Sequence, residues 1–172
     1  AIPNKGAQPT LLIDAGANVD CRPLQLVQFA RLGRAYASGG LDIVNPRVAL
    51  LNNGEEEGKG DSLTTQTYEI LKEQKDLNFI GNLEGRDLFS GRADVLVCDG
   101  FTGNILLKAL EGMAMFLAGG IKQELGTIPS IFARLDYTQI GGAPLLGVNG
   151  VSIVCHGSSR RDAVCAGLAI AA

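Results

Sequence analysis

Residues Asp94–Asn104, DVLVCDGFTGN, join a continuous apolar run to a glycine-containing turn that leads into a helical pattern. Four apolar residues in a row, without polar alternation, are typical of a strand that is covered on both faces of a parallel sheet. Glycine in the following turn permits a tight connection from the strand to a helix. This stretch therefore predicts an α/β architecture with a ligand site at the end of a strand.

The same arrangement recurs along the 172 residues. Parallel strands are predicted at Leu11–Asp14, Arg47–Leu51, Asn78–Ile80, Asp94–Cys98 and Val151–Cys155. Helices are predicted at Arg22–Ala37, Ser62–Lys75, Gly103–Leu117 and Asp162–Ala171. Asp20 precedes the first helix, and we expect it to act as its N-cap; the second helix starts after Asp61. Strand and helix in alternation predict right-handed crossovers and a doubly wound, mostly parallel sheet in one domain, residues 1–172.

Composition and charge argue against several classes of protein. The net charge of −3 and the lack of a Lys/Arg cluster argue against nucleic acid as a partner. Four cysteines without CxxC spacing and a single histidine argue against a zinc site, and we expect reduced thiols in a cytosolic protein. No apolar stretch is expected to be long enough to span a bilayer, and the glycine-rich segment 119–142 is predicted to be a connection or flap. No signal peptide is recognised. The missing initiator Met and the Pro- and Gly-rich content before the first strand predict that the chain is part of a longer protein.

Polar residues follow each of the five predicted strands. In a doubly wound sheet, ligands bind outside the carboxyl ends of the strands, so one convergent polar site is expected. Two of these segments suit an anion, since glycine turns at helix starts expose backbone N–H groups. They are residues 99–104, DGFTGN, and residues 156–159, HGSS.

The loop at 52–61, NNGEEEGKGD, allows three interpretations. It is a solvated acidic loop, or a Mg²⁺ site built from Glu55–Glu57, or a phosphate site at Lys59. A glutamate about 8 Å from a phosphate would cost roughly 2 kcal/mol at an effective dielectric near 20. The phosphate site therefore requires Lys59 to turn inward and the glutamates to turn outward or pair with arginine.

Three further side chains bear on the chemistry. His156, at a predicted strand end, is either a general base or a hydrogen-bonded residue that orients the substrate. Cys98 and Cys155 end buried strands, and a thiolate at either position would be an acyl acceptor, but we favour buried, inert thiols.

Five motifs follow one another along the chain. They are DAGANVD at 14–20, NPRVALLN at 45–52, NFIGNLEGRD at 78–87, DGFTGN at 99–104 and HGSS at 156–159. Together they resemble the phosphate acyltransferases of bacterial phospholipid synthesis (the PlsX family), from Leu11 to near the last residue. The resemblance implies a three-layer α/β/α fold akin to isopropylmalate dehydrogenases, in the C-terminal half to two-thirds of a longer enzyme. It also implies a homodimer, located in the cytoplasm and peripheral to the inner face of the membrane.

The implied reaction transfers an acyl group from acyl-[acyl carrier protein] to inorganic phosphate. The resulting acyl phosphate would feed a glycerol-3-phosphate acyltransferase. A thioester is already activated, so neither a cofactor nor a metal is expected, and the protein must position phosphate and stabilise an oxyanion. The expected catalytic residues are Lys59, Asn104 and His156. The expected phosphate- or substrate-binding residues are Asp14, Asn18, Asn52, Gly100, Thr102, Gly103, Ser158 and Ser159.

Other functions stay open on the sequence alone. An acetyl phosphate-forming transferase that uses coenzyme A shares the phosphate chemistry. An NAD-dependent decarboxylating dehydrogenase shares the fold class, and Asp14, Asp20 and Asp99 could then hold its metal. A non-catalytic domain for dimerisation or carrier docking is a third alternative. Arg31, Arg34, Lys72 and Arg86 are candidates for docking an acidic carrier protein.

Overall fold

The computed structural model describes residues 1–6, 8–129, 142–155 and 161–171. It groups the chain into two compact units, Ala1–Ala109 and Leu110–Ala172. The expectation of a single domain stays a prediction. The elements are β1 (Leu11–Ile13), α1 (Pro23–Gly40), β2 (Arg47–Asn52), α2 (Ser62–Lys72), β3 (Asn78–Glu84), a 3₁₀ turn (Gly85–Phe89), β4 (Val95–Val97), α3 (Gly100–Leu125), β5 (Ala143–Pro144), β6 (Ile153–Val154) and α4 (Arg161–Ala171).

The first unit is built on a four-stranded sheet in the order β1-β4-β2-β3, with every neighbouring pair parallel. Helix α1 packs on β1 and β4, and α2 packs on β2 and β3. The predicted α/β class and parallel sheet are confirmed, and the architecture is consistent with three layers. Because β4 lies between β1 and β2, the strands β1 and β2 are consecutive in sequence but not adjacent in the sheet, and the later strand β4 separates them.

Apolar side chains are buried on both faces of this sheet. Toward α1 and α2, the fully buried residues include Leu26, Val48, Leu50, Leu71, Val95 and Val97. Alternate strand residues point to the opposite face. There Ala49, Leu51, Leu83 and Leu96 are also buried. Burial on two faces explains why these strands are continuously apolar in sequence.

The start of α1 differs from the prediction. Its N-cap is Arg22 rather than Asp20, and the Gln25 side chain accepts a hydrogen bond from the Arg22 N–H at 2.8 Å. Pro23 determines this start, because proline suits the first helical position and makes the preceding residue the cap. Helix α2 starts after Asp61 as predicted, and Asp61 is its N-cap, since its side chain accepts a hydrogen bond from the Thr64 N–H at 2.8 Å.

Strand β3 is four residues longer than predicted and contains an irregularity. Val48 pairs with Phe79, but Leu50 pairs with Asn82, so β3 carries one extra residue. Gly81 lies in this segment with a φ of 94°, a conformation that glycine adopts readily. The sequence suggested that the strand ended at the glycine, whereas the chain bulges there and continues.

Helix α3 begins at Gly100 and ends at Leu125, so it continues through Gly119 and Gly120. The expectation that these glycines end the helix is wrong, because their neighbours are good helix formers and each glycine costs only about 1 kcal/mol. The helix is consequently long and apolar enough to cross a membrane, by length and composition alone. This corrects the expectation that no apolar stretch has that length. Length and composition do not distinguish a spanning helix from one that packs on another protein surface.

The second unit contains a short hairpin and a helix. β5 pairs antiparallel with β6, and the Leu145 N–H donates to the Ser152 carbonyl at 2.8 Å. The prediction that Val151–Cys155 forms a fifth parallel strand is therefore wrong. Gly147 and Gly150 have φ angles of 81° and 144°, so the chain can turn back and pair locally. Helix α4 lies beside this hairpin, and the two line an apolar cavity of about 300 Å³.

Candidate functional site

The carboxyl edge of the parallel sheet collects the polar segments. The loop after β1 covers residues 14–20, the loop after β2 covers 53–61, and β4 leads directly into α3. The strand order places β4 between β1 and β2. The segment that carries Asn104 therefore lies between the Asp14 loop and the Lys59 loop, as expected for one convergent site.

The loop after β1 is organised around the Asp14 carboxylate. It accepts hydrogen bonds from the N–H groups of Gly16 at 2.9 Å, Ala17 at 3.0 Å and Asn18 at 2.7 Å, and from the Asn18 side chain at 3.0 Å. Burial raises the pKa of Asp14, but these hydrogen bonds outweigh burial and the pKa lies below its ordinary value. Asp14 and Asn18, predicted to bind phosphate or substrate, are thus engaged in ordering this loop.

The first turn of α3 is closely covered by that loop. A β-carbon on Gly100 would come within 2.7 Å of the Asn18 carbonyl oxygen, and one on Gly103 would overlap the Asp14 carbonyl oxygen. The Gly100 N–H donates to the Asn18 carbonyl at 2.8 Å. Both glycines of the DGFTGN motif are therefore required by backbone packing, a role that the sequence analysis did not identify.

Asp99 caps α3. Its carboxylate accepts hydrogen bonds from the Thr102 N–H at 2.9 Å and the Thr102 hydroxyl at 2.7 Å, and its carbonyl accepts one from the Gly103 N–H at 3.0 Å. The N–H groups of Gly100, Thr102 and Gly103 thus have protein acceptors. Their predicted role in binding phosphate stays a prediction, and it requires the anion to replace Asp99 or Asn18 as the acceptor.

Asn104 extends from the second turn of α3 to the edge of the site. Its side chain is exposed, and its amide atoms lie beside Gly16, 3.8 Å from where a β-carbon of that glycine would be. No hydrogen bond of the Asn104 side chain to another described residue is present. An amide in this position can donate to a carbonyl oxygen or to phosphate.

The loop after β2 is folded back on itself around Lys59. The Asn52 side chain donates to the Lys59 carbonyl at 2.9 Å and accepts from the Asn53 N–H at 2.8 Å. The aliphatic part of Lys59 lies across Gly54, where a β-carbon would be 3.0 Å from Lys59 Cγ. Asn52, predicted to bind substrate, closes this loop.

Two of the three glutamates beside Lys59 are paired with other cations. Glu55 makes two hydrogen bonds to Arg92, at 2.8 and 3.1 Å. Glu57 pairs with Lys72 at 2.9 Å and accepts from the Tyr68 hydroxyl at 3.1 Å. The Glu56 carboxylate lies beside Gly54, as the aliphatic part of Lys59 does, but within the described residues no carboxylate forms an ion pair with Lys59. The condition on the glutamates is therefore met at Glu55 and Glu57, while the Lys59 side chain is exposed rather than turned inward.

Metal chemistry has little support in the described part of the chain. No group of three or more Asp, Glu, Cys or His side chains suited to a metal occurs there. Glu55 and Glu57 are held by cations, and Asp14 and Asp99 accept hydrogen bonds from N–H groups. This geometry gives no support to a Mg²⁺ site at Glu55–Glu57 or to a metal-dependent dehydrogenase.

Cys98 is a buried thiol at the end of the sheet. Its sulfhydryl donates to the Asp14 carbonyl at 3.3 Å. Burial is the largest cause that raises the pKa of Cys98 far above its ordinary value, with the Asp99 and Asp14 charges adding to it. A thiol held in the neutral form is a poor nucleophile. Cys155 is exposed in the second unit.

Three predicted site residues, His156, Ser158 and Ser159, lie outside the described residues.

The basic candidates for carrier docking are mostly in ion pairs. Arg31 pairs with Asp76, Lys72 with Glu57 and Arg86 with Glu84. Arg34 forms no ion pair with a described residue.

Two residues that the sequence analysis missed hold the Lys59 loop. Arg92 reaches Glu55 from the segment before β4, and Asn82 on β3 donates to the Glu56 carbonyl at 3.0 Å. These partners are 37 and 26 residues apart in sequence, so no local pattern could predict them. The one sequence signal for Asn82 was its place in the motif at 78–87.

Comparison with known proteins points to one family. The family model described as "Fatty acid synthesis protein" matches residues 1–172. The chain is 63% identical over 171 residues to a "Phosphate acyltransferase" of Syntrophomonas wolfei, which covers 99% of this chain and 53% of that protein. It is 52% identical over 167 residues to the "Phosphate acyltransferase" of Desulforamulus reducens, covering 90% of this chain and 50% of that protein. The chain thus spans about half the length of the curated relatives it matches.

Proposed function

The chain belongs to the fatty acid synthesis protein family, and we propose that it forms the Lys59 and Asn104 side of an active site that transfers an acyl group to inorganic phosphate. The names of the relatives support the reaction class. They give no support to an NAD-dependent dehydrogenase, an acetyl phosphate-forming transferase that uses coenzyme A, or a non-catalytic domain.

The proposed step is a direct displacement. An oxygen of phosphate attacks the thioester carbonyl carbon, a C–O bond forms, and the carbonyl oxygen takes up negative charge. The carbonyl then re-forms as the C–S bond breaks, and the sulfur leaves as a thiolate that takes up, through solvent, the proton that hydrogenphosphate loses. The products are an acyl phosphate and a free thiol. No enzyme nucleophile is needed, so the buried thiol of Cys98 agrees with this route.

Two side chains carry the proposed chemistry. Lys59 holds phosphate and balances charge that develops on the attacking oxygen, and the Asn104 amide donates to the carbonyl oxygen. The observation that carries the proposal is that Lys59 lacks an ion pair within the described residues while Glu55 and Glu57 beside it are paired. The strand order brings its loop next to the end of β4, from which α3 carries Asn104.

The acyl donor and the assembly are also part of the proposal. We infer that the donor is acyl-[acyl carrier protein], whose product passes to a glycerol-3-phosphate acyltransferase. Exposed apolar residues of α3, among them Met113, Met115 and Phe116, support a homodimer and a peripheral contact with the inner face of the membrane. The roles of His156, Ser158 and Ser159 stay predictions from the sequence.

Phosphate-dependent release of thiol from acyl-[acyl carrier protein] tests the function. The assay uses the full-length protein that contains this chain. Trapping of the acyl phosphate with hydroxylamine is the second readout. We expect thiol release that stops without phosphate, and one acyl hydroxamate for each thiol. Release that is independent of phosphate would identify a thioesterase instead, and release from acetyl coenzyme A alone would favour the other transferase.

A further inference from the structure

Asn82 is a buried amide whose hydrogen bonding is incomplete. It lies on β3 with 3% of its surface exposed, on the face that also carries Leu50, its register partner on β2. Among the described residues no donor lies within hydrogen-bond distance of Asn82 Oδ1. Burial of an amide carbonyl without a partner is unfavourable, so the stability of the sheet does not explain this residue.

The one hydrogen bond of the Asn82 side chain is made to the Lys59 loop. Asn82 Nδ2 donates to the Glu56 carbonyl oxygen at 3.0 Å, and that oxygen also accepts the Lys59 N–H at 3.3 Å. A single carbonyl therefore connects the sheet to the backbone of Lys59. The orientation of the amide follows from this contact, because only its nitrogen can donate to a carbonyl.

Two other contacts that hold the loop are exposed ion pairs. The Glu55–Arg92 and Glu57–Lys72 pairs have side chains that are 45–60% accessible to solvent. Exposed ion pairs contribute little and are screened by salt. The buried Asn82 contact is protected from both effects. Together with the hydrogen bond of Asn52 to the Lys59 carbonyl at 2.9 Å, it therefore determines the position of the loop backbone to a greater extent than these two pairs.

We propose that Asn82 is a positioning residue that sets where the Lys59 ammonium group meets phosphate. This inference rests on the proposed function. Asn82 acts through the Glu56 carbonyl and the Lys59 backbone, without touching phosphate. A displacement of about 1 Å at a reacting group can cost on the order of 100-fold in rate, so loss of this contact should appear in the kinetics for phosphate.

The variant Asn82→Leu removes the amide and keeps a similar volume among apolar neighbours, and Asn82→Ala serves if leucine does not fit. The matched control is Asn78→Leu on the same strand. Asn78 Nδ2 also donates to a loop carbonyl, that of Asn45 at 3.1 Å, but at the opposite edge of the sheet. The experiment measures KM for phosphate, KM for the acyl thioester, kcat and the melting temperature of the full-length enzyme.

For Asn82→Leu we expect kcat/KM for phosphate to fall by about 10- to 100-fold, with KM for the thioester and the melting temperature close to those of Asn78→Leu. In a Lys59→Ala background the same change should lower the rate by less than about 3-fold, because residues that act as a unit are not additive. An Asn82→Leu enzyme with normal phosphate kinetics would overturn the inference and leave the proposed function intact. A loss of about 10- to 100-fold that also occurs in the Lys59→Ala background would likewise overturn the inference and leave the proposed function intact. Absence of phosphate-dependent turnover in the unmodified enzyme would overturn both.

Discussion

Gly103 lies against the carbonyl oxygen of Asp14, so closely that a β-carbon at position 103 would overlap that oxygen. The contact joins the first turn of α3 to the loop after β1. We expect Gly103→Ala to displace the loop or the helix and to lower the free energy of unfolding by about 2 kcal/mol or more. Chemical denaturation measures this, and acyl-phosphate formation should fall because Asn104 moves with the helix.

The control for this substitution is Gly39→Ala near the end of α1. A β-carbon on Gly39 would meet nothing within 4 Å in the described structure. Alanine there should leave stability unchanged or raise it by up to about 1 kcal/mol. Equal effects of the two substitutions would contradict the close packing at Gly103.

Lys59→Ala should reduce the rate of acyl-phosphate formation by about 100- to 1,000-fold, the usual loss for a group that stabilises charge in a transition state. Stability should change little, because Lys59 is exposed and the loop is held through its backbone. Lys75→Ala is the matched control, since Lys75 is exposed in the turn between α2 and β3. Near-normal turnover of Lys59→Ala would show that Lys59 does not hold phosphate or balance the developing charge as proposed.

Asp14 should make stability depend on pH. The folded protein holds the pKa of Asp14 below its ordinary value, because N–H donors outweigh burial. The stabilisation from the ionised group is therefore present above the unfolded pKa, about 3.9, and is lost as pH falls through the lower folded pKa. We expect Asp14→Asn to be destabilised near pH 7 and the difference from the parent protein to shrink toward pH 2.

The readout for Asp14 is the free energy of unfolding between pH 2 and 7. Asp20→Asn, in the same loop, is the control, because Asp20 is exposed and makes no hydrogen bond with a described residue. Its effect should stay within about 0.5 kcal/mol. A difference between Asp14→Asn and the parent that is constant over this range would show that the carboxylate charge is not responsible.

Asp94→Ala should lower the stability of the protein and leave its activity unchanged. Asp94 accepts three hydrogen bonds from Arg47, at 2.8, 3.0 and 2.8 Å, at the amino ends of β2 and β4. Its loss leaves the partly buried N–H and the guanidinium of Arg47 without their acceptor. The free energy of unfolding should therefore fall by about 1–3 kcal/mol. The kinetics for phosphate should be unchanged, because the carboxyl ends of the strands hold the site. Asp76→Ala breaks the exposed pair with Arg31 and should cost less than about 1 kcal/mol.

The sequence predicted those features that depend on local patterns. Continuous apolar runs located β1, β2 and β4, and helical periodicity after Asp61 located the start of α2 at Ser62. The bulge at Gly81 and the passage of α3 through two glycines were missed, because glycine is compatible with both a break and a continuation.

The candidate site was predictable in location and less so in detail. The order of strand and turn placed Lys59 and Asn104 at the same edge, since parallel strands end together. The partners of Asp14 are residues within the loop itself, and those of Glu55 and Glu56 come from other parts of the fold. Whether a polar residue of a motif binds a ligand or orders a loop depends on such contacts, which spacing does not encode.

The position of β4 has a consequence for how the molecule is made. Leu11 pairs with Val95, so within this chain the neighbour of β1 lies 84 residues later, while β2 and β3 pair across a much shorter stretch. On the ribosome, the β1–β4 and β2–β4 pairs therefore form only after β4 has been synthesised. The same step brings Gly103 under Asp14 and carries Asn104 to the edge. Completion of the four-stranded sheet and assembly of this edge are thus one event, so a nascent chain that lacks β4 has neither.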